Sequence, residues 1–349
     1  MRDEFCSLAR EFSFVSVAPT PAVRDKTIRK GNIMEHGKVT KETARGLLAL
    51  QKRIDAAKIP PSKLDETLNI ATWNIREFGK KRRTEAAIHY IAEILGQFDV
   101  IGIVELRDDL TDLGRVLKIL GPYWKCVYSD MIPDAGGNRE RLAFLYDNRA
   151  TTFTGFAAEA SPPRVKKGEE YITDISFWRS PYMASFRAGN FDFVLLTAHI
   201  RWGNTTEARR KEIENLADWI EAKRQEKSKE DKDLIVMGDF NIGSRNDSLF
   251  KAITKHGLQI PKALLGTHGT DLARGKRYDQ ILHYPIYPEN FTNAGGELDF
   301  FLDNAHIKEL FPGSMTKDQF TYQISDHLPL WMQINTNIDG QELEAIIRG

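Results

Sequence analysis

Apolar and polar positions along the chain alternate in a way that predicts short strands mixed with amphipathic helices. Runs rich in β-branched and aromatic residues, bounded by turn residues, predict strands. We expect them at residues 68–75, 100–106, 125–129, 142–146, 182–186, 191–199, 234–238, 280–283 and 329–334. Apolar residues at helical spacing predict helices at about 84–95, 110–120, 213–220 and 247–256. A hairpin at 187–190 adds antiparallel pairing, so the pattern predicts an α/β fold with mixed sheets.

Residues 1–67 differ from the rest and are interpreted as an N-terminal basic extension. Between residues 24 and 53 the basic side chains outnumber the acidic ones, and strand-like runs are few. Apolar residues recur at near-helical spacing from Leu47 to Ala57, before Pro60 ends the pattern. This predicts a helix that packs on the domain behind it, with a dedicated nucleic-acid-binding arm as the alternative.

The composition indicates a folded protein with no overall charge preference for a partner. Of 349 residues, 41% are hydrophobic, and 49 Lys and Arg balance 49 Asp and Glu. Neutrality gives no argument for a polyanionic partner, although a local basic patch can still bind one. No apolar run approaches the roughly 18 residues of a membrane helix, and nothing indicates an obligate protein partner. Cys6 and Cys126 are too few for a disulfide framework, so we expect a cytoplasmic protein.

Polar residues that belong to no amphipathic pattern follow several of the predicted strands. They are Asn74, Glu105, His199, Asp239, Asn241 and the pair Asp326-His327. Each alone is weak evidence, because a strand-end polar residue is often a turn or surface residue. Strand ends in α/β folds are where sites form, however, and carboxylates, amides and imidazoles together suit metal-assisted phosphoester hydrolysis.

The residues in these segments and their order along the chain resemble the motifs of the endonuclease/exonuclease/phosphatase superfamily. The matching segments are Trp73-Asn74, Glu105-Leu106-Arg107-Asp108, Ala198-His199, Gly238-Asp239-Phe240-Asn241, Tyr278-Asp279 and Ser325-Asp326-His327. The resemblance implies a four-layer α/β/β/α sandwich of two mixed β-sheets, as in deoxyribonuclease I, with the site at one rim. It also implies one domain at 68–335, which leaves a C-terminal tail at 336–349.

The chemistry and the resemblance together suggest roles for the metal ligands. A hard divalent cation prefers oxygen ligands, so Glu105 with Asn74 nearby is the predicted anchor for Mg²⁺ or Mn²⁺. Asp326 is expected to support the metal or its water shell. The metal would polarise a phosphoryl oxygen.

The catalytic roles follow in the same way. His327 is the predicted general base, and the resemblance pairs it with Asp279; Asp299 is the alternative. Asp239 is expected to orient the attacking water, whereas Asn241 and His199 are expected to donate to phosphate oxygens. The resemblance makes Glu140 the partner of His199; the alternative is an ordinary ion pair with a neighbouring arginine.

Positive side chains at the edges of the site favour DNA as the substrate. We expect Arg107, Arg179 and the run Lys80, Lys81, Arg82 and Arg83 to contact the phosphate backbone. Trp178, Tyr182 and Trp202 are interpreted as structural, with stacking on bases as the alternative. The sequence therefore predicts a Mg²⁺-dependent nuclease; a phosphatase of the same fold, for inositol phosphates or similar phosphomonoesters, and a non-catalytic nucleic-acid-binding module are the alternatives.

Overall fold

The helices of this computed structural model begin at capping residues that are visible in the sequence. The structure describes residues 34–131, 138–173, 175–203, 205–226, 233–284 and 290–348. The hydroxyl of Thr84 accepts a hydrogen bond from the N–H of Ala87, and Thr40 caps the preceding helix in the same way. The α-helices are α1 (Lys41–Ala56), α2 (Glu85–Leu95), α3 (Thr111–Leu120), α4 (Thr206–Gln225), α5 (Ser248–Thr254), α6 (Ile307–Leu310), α7 (Lys317–Gln323) and α8 (Asp339–Arg348). Within the described ranges, no helix combines the length and hydropathy needed to cross a bilayer.

The strands form two large mixed sheets and one small hairpin. They are β1 (Thr67–Phe78), β2 (Val100–Leu106), β3 (Trp124–Tyr128), β4 (Arg141–Asp147), β5 (Thr152–Glu159), β6 (Val165–Lys167), β7 (Glu170–Ile172), β8 (Tyr182–Ala188), β9 (Phe191–His199), β10 (Leu234–Asp239), β11 (Asp279–His283), β12 (Phe291–Glu297) and β13 (Leu330–Asn335). The sheets have the orders β12-β13-β1-β2-β4-β3 and β11-β10-β9-β8-β5. The pairs β1-β2 and β9-β10 are parallel, whereas β1-β13 and β10-β11 are antiparallel.

Apolar side chains bind the sheets and helices into four layers. Ile70 and Phe144 of the first sheet meet Phe186 and Phe193 of the second between the two sheets. Helices α2 and α3 cover the outer face of the first sheet, and α4 and α5 cover that of the second. The predicted four-layer α/β/β/α sandwich is therefore confirmed.

The helix predicted in the basic extension is α1, and it packs against the sandwich. Leu50 is fully buried in the same core as α2 and α3, while Leu48 is 61% exposed on the opposite face. Arg53 is also buried, and its guanidinium donates to the carbonyl of Phe300 and to Glu309. Residues 24–30 of the extension lie outside the described residues.

Elements that sequence patterns did not predict lie mainly at the edges of the fold. Strands β5 and β12 are edge strands, and each shifts register against its neighbour, β5 between Phe153 and Ala157. A half-exposed, irregular edge strand has no alternating apolar pattern, which explains why both were missed. The segment interpreted as a C-terminal tail contains α8, and Thr336 before it donates its N–H to the carbonyl of Glu66.

Candidate active site

The ladder of the second sheet places three candidate residues side by side. Asp239 ends β10, and its Cα partners are His199 at the end of β9 and Asp279 at the start of β11. Directly paired residues present their side chains to the same face of a sheet. All three are buried. The register of the sheet therefore brings together residues that lie far apart in the sequence.

Asn74 of the first sheet connects this row to Glu105. Its side-chain Nδ2 donates to Oδ2 of Asp239 at 3.0 Å and to Oε1 of Glu105 at 3.1 Å. The second oxygen of Glu105 accepts the N–H of Glu77 at 2.7 Å. The site therefore lies where the rims of the two sheets meet.

His327 and the buried Asp279 form an imidazole–carboxylate dyad. Nδ1 of His327 lies 2.8 Å from Oδ2 of Asp279, which also accepts the hydroxyl of Thr270 at 2.6 Å. Burial lowers the pKa of His327, but the negative charges of Asp279 and Asp239 outweigh burial and hold this pKa well above its ordinary value. Asp299, the alternative partner of His327, instead pairs with Arg274 at 2.9 Å.

His199 forms a second dyad with Glu140. Its Nδ1 lies 2.8 Å from Oε2 of Glu140, and Arg179 also binds this carboxylate with Nε at 2.7 Å. Burial alone would raise the pKa of Glu140, but His199 and Arg179 lower it to about 2. Glu140 thus pairs with the histidine and with an arginine distant in sequence. Arg179, which we expected to contact the phosphate backbone of the substrate, lines the cavity, but its guanidinium donates to Glu140.

Two of the non-glycine residues with positive φ belong to this site. Glu105 and Asn241 adopt left-handed conformations, with φ of 63° and 53°, which residues other than glycine rarely adopt. Such strain often marks functional sites. Gly238 has φ of 130°, and a Cβ there would stand 2.0 Å from the carbonyl oxygen of Ala198, so only glycine fits next to Asp239.

The donor set fits a divalent cation. Oδ1 of Asn74 is buried and accepts no hydrogen bond among the described residues, although it lies beside the Glu105 and Asp239 carboxylates. Hard divalent cations prefer carboxylate and amide oxygens. Asp239, Asp279 and His327 also have ligand atoms within 4.8 Å of one another. Asp279 and His327 already bind each other, so the Asn74–Glu105 side is our candidate for a cation site.

A cavity of about 530 Å³ opens over these groups. Its lining is Asn74, Glu105, Asn138, Trp178, Arg179, His199, Arg201, Trp202, Gly203, Asp239, Asn241 and His327. Sequence reasoning missed Asn138, whose amide donates to Glu140, and Arg201. Asn138 lies two residues before Glu140, and Arg201 lies two residues after His199; this proximity in sequence could have identified both as site residues. Tyr182 is buried as its structural interpretation requires, whereas Trp178 and Trp202 are exposed at the cavity.

Other predicted site residues lie outside this cavity. Asp326 is not among the residues that line it; its carboxylate is 45% exposed, lies 4.0 Å from Nε of Arg76 and contributes to the raised pKa of His327. Arg107 is 8% exposed, with Nη1 at 3.6 Å from Glu77. The support of the metal by Asp326 and the contact of Arg107 with the DNA backbone remain predictions.

The basic run after β1 divides into exposed and buried members. Lys80, Lys81 and Arg82 are exposed, and Lys80 pairs with Glu77. Arg83 is 3% exposed and donates to the main-chain carbonyls of Arg76, Glu77 and Lys81. The prediction that Arg83 contacts substrate is therefore wrong, because its guanidinium closes the turn that follows the strand.

Comparisons with known proteins bear on the family and on the fold. Residues 71–327 match the model of the Endonuclease/Exonuclease/phosphatase family. A deoxyribonuclease of Thioalkalivibrio sp. (strain K90mix) is 27% identical over 296 residues, 79% of this chain and 73% of that protein. Deoxyribonuclease-1 of Sus scrofa is 27% identical over 193 residues, 51% of this chain and 61% of the pig protein. The structure of a mannosyl-6-phosphatase from Bacteroides thetaiotaomicron VPI-5482 shares the fold, with a TM-score of 0.51 and 18% identity over 76% of this chain and 99% of that chain.

Proposed function

The chain belongs to the endonuclease/exonuclease/phosphatase family, and on that basis we propose that it is a metal-dependent phosphodiesterase that hydrolyses DNA. The observation that carries the proposal is the arrangement of two carboxylate-bound histidines around Asp239, next to Asn74 and Glu105. The deoxyribonuclease relative, which aligns over 79% of this chain, supports DNA as the substrate. A module that only bound nucleic acid would have no need for this buried acid–base set.

His327 is the proposed general base. An ionised carboxylate can only accept hydrogen bonds, so Asp279 fixes a proton on Nδ1, and in the neutral imidazole Nε2 is then the acceptor. Nε2 lies 3.8 Å from Oδ2 of Asp239, so one water molecule can contact both atoms. His327 would take the proton of this water as the oxygen attacks phosphorus and the opposite P–O bond breaks.

His199 and Asn241 are the proposed donors to the phosphate. Glu140 holds His199 at Nδ1, which turns Nε2 towards Asp239 at 3.8 Å. Nδ2 of Asn241 donates one N–H to the carbonyl of Ile200 at 2.7 Å, which leaves the other for a non-bridging oxygen. Donors that are fixed before the reaction stabilise developing charge at little reorganisation cost.

Glu105 and Asn74 are the proposed ligands of Mg²⁺ or Mn²⁺. The bound cation would supply Lewis acidity and offset the negative charge that develops on the phosphoryl group. Asn74 also keeps the carboxylates of Glu105 and Asp239 in place, because its amide nitrogen donates to both. The exposed Lys81 and Arg82 remain proposed contacts to the DNA backbone, and a role of Arg107 there is also a proposal.

Supercoiled plasmid tests the proposal directly. We expect nicking with Mg²⁺, no nicking with EDTA, and recovery when excess Mg²⁺ is restored. A parallel set of single-stranded DNA, RNA and phosphomonoesters identifies the substrate class. Intact plasmid combined with rapid release of phosphate from inositol phosphates would replace the nuclease proposal with the phosphatase alternative.

A further inference from the structure

Two tryptophans at the mouth of the active-site cavity are unusually exposed. Trp178 is 45% exposed and Trp202 is 55% exposed, and both line the cavity that contains Asp239 and His327. Burial of an indole ring is strongly favourable, so exposed indoles at a polar cavity indicate a ligand surface. A purely structural role, as expected from the sequence, does not explain why Trp178 and Trp202 are exposed.

The buried Arg209 stacks on one face of the Trp202 ring. The guanidinium carbon of Arg209 lies 3.9 Å from the centre of the indole ring, and Arg209 itself is buried. Its Nε donates to the carbonyl of Trp202 and its Nη1 donates to the carbonyl of Asn241. Tyr278 contacts the ring edge-on, with centroids 5.7 Å apart, and also lies against His327. The ring is therefore held by Arg209 and Tyr278, while more than half of Trp202 is exposed.

Trp178 is fixed in a similar way. The guanidinium carbon of Arg201 lies 3.6 Å from the centre of its ring, a stacked cation–π contact. Its backbone N–H donates to the carboxylate of Glu212 on α4 at 3.0 Å. A second cavity of about 360 Å³ lies beyond this pair and is also lined by Trp178, Arg201 and Lys211. The Trp178–Arg201 pair thus separates the catalytic cavity from a neighbouring one.

Rigid aromatic faces beside fixed positive charges are suited to unpaired bases on a phosphate backbone. Every nucleobase has a π-face that can stack, and the partly exposed Arg201 can attract a flanking phosphate, whereas the buried Arg209 supports the ring of Trp202. In a double helix the bases already stack on each other, so their faces are not available to a tryptophan. The chemistry of the surface therefore distinguishes single strands from duplexes.

We infer that Trp178–Arg201 and Trp202–Arg209 form a stacking subsite for unpaired nucleobases that flank the phosphate to be cleaved. The inference rests on the proposed phosphodiesterase function and specifies its substrate as single-stranded DNA. The two tryptophans are binding residues, and the dyads of His327 and His199 carry the chemistry.

Binding without turnover tests the subsite separately from catalysis. A fluorescein-labelled oligothymidylate is titrated against the full chain in EDTA, alongside a duplex of the same length, with anisotropy as the readout. We expect tighter binding of the single strand, and a loss of roughly 5- to 100-fold in Trp178→Ala and in Trp202→Ala, the range expected for one stacked base. Trp202→Phe should retain most of the affinity.

A matched control uses an arginine-stacked aromatic away from the cavity. Tyr123 is 50% exposed under Arg149, 4.7 Å from its ring centre, and Tyr123→Ala should bind the oligothymidylate as the unmodified chain does. Equal affinity for single strand and duplex, or unchanged binding in both tryptophan variants, would overturn the inference.

The turnover experiment then distinguishes the two proposals. With Mg²⁺, KM for the oligothymidylate should rise more in the tryptophan variants than KM for bis-p-nitrophenyl phosphate, which has no bases. Tryptophan-dependent binding of single strands without any hydrolysis would support the subsite and contradict the phosphodiesterase. Hydrolysis with no difference between the two substrates would contradict the subsite alone.

Discussion

His199 and His327 approach the same oxygen from opposite dyads: each Nε2 lies 3.8 Å from Oδ2 of Asp239. Each Nδ1 is bound to a carboxylate at 2.8 Å. Their surroundings differ. Arg179 neutralises the carboxylate beside His199, whereas among the described residues the hydroxyl of Thr270 is the other side-chain group that donates to the carboxylate beside His327. His327 therefore has the higher affinity for a proton, which is in line with the general-base role proposed for it.

Replacing His327 should remove most of the turnover. We expect His327→Ala to lower kcat by roughly 10² or more, because the attacking water loses its proton acceptor. Plasmid nicking over time measures the rate, and circular dichroism checks folding. His268→Ala is the control, since His268 is 75% exposed and pairs with Glu297 at the surface. A nicking rate of His327→Ala close to that of the control would remove His327 from this role.

The choice between Asp279 and Asp299 can be tested with a matched pair. Asp279→Asn should lower kcat by about 10² or more, because the amide no longer fixes the imidazole in the tautomer that exposes Nε2. Asp299→Asn should leave kcat within about twofold, since this carboxylate pairs with Arg274. Steady-state kinetics on one oligonucleotide compares them, and equal losses would contradict the assignment.

Stability should depend on pH through Glu140. Its folded pKa of about 2 lies below the ordinary value of 4.5, so its stabilising effect is complete above about pH 5.5 and is lost as the pH falls towards 2. We expect Glu140→Gln to lower the free energy of unfolding by about 3 kcal/mol at neutral pH. Urea titrations should show this difference shrinking as the pH falls.

The control for Glu140 is Glu66→Gln, which changes a half-exposed carboxylate. Its effect on the urea midpoint should be small and should show little variation with pH. A difference between wild type and Glu140→Gln that stays constant from neutral to acidic pH would contradict the low pKa of Glu140.

Adjacent arginines after β1 should have different effects. Arg83→Ala leaves main-chain carbonyls without a donor and should destabilise the fold by about 2–4 kcal/mol. Arg82→Ala should change stability by less than about 0.5 kcal/mol, and it should reduce the salt dependence of DNA binding. Urea unfolding and anisotropy at several salt concentrations measure the two effects. The reverse pattern would contradict the assignment of Arg83 to the fold.

The two leucines on opposite faces of α1 test whether this helix belongs to the folded core. Leu50→Ala should cost about 2–5 kcal/mol, because it opens a cavity in a fully buried site. Leu48→Ala, on the exposed face, should cost less than about 0.5 kcal/mol. Thermal unfolding followed by circular dichroism compares them, and equal melting temperatures would mean that α1 contributes nothing to the cooperative unit.

The central strands and most of the candidate site could be predicted from sequence because both follow strong local patterns. Strand β2 lies at 100–106 as expected, and Glu105 follows its apolar run directly. Edge strand β12 could not be found, since Gly295-Gly296 and its irregular register erase the alternation. Local sequence also fails for Arg83, because the turn of the backbone, rather than the charge, decides which arginine points inward.

The exposure of Trp178 and Trp202 was equally beyond the reach of local patterns. Indoles are usually buried, and composition carries no sign that α4 supplies arginine and glutamate side chains to fix these rings. Only the tertiary arrangement shows Arg209 beneath Trp202 and Glu212 beside Trp178.

The amide of Asn74, which touches a carboxylate on each sheet, has a consequence for biosynthesis. A chain that has been translated only as far as β10 already carries Glu105 and Asp239, yet it lacks β13 and the histidine just before it. Trp73 of β1 also needs this late segment, because its indole N–H donates to the carbonyl of His327. An unfinished chain therefore lacks both the proposed general base and one of the contacts that hold β1, so the candidate site is complete only after the segment around His327 has been added.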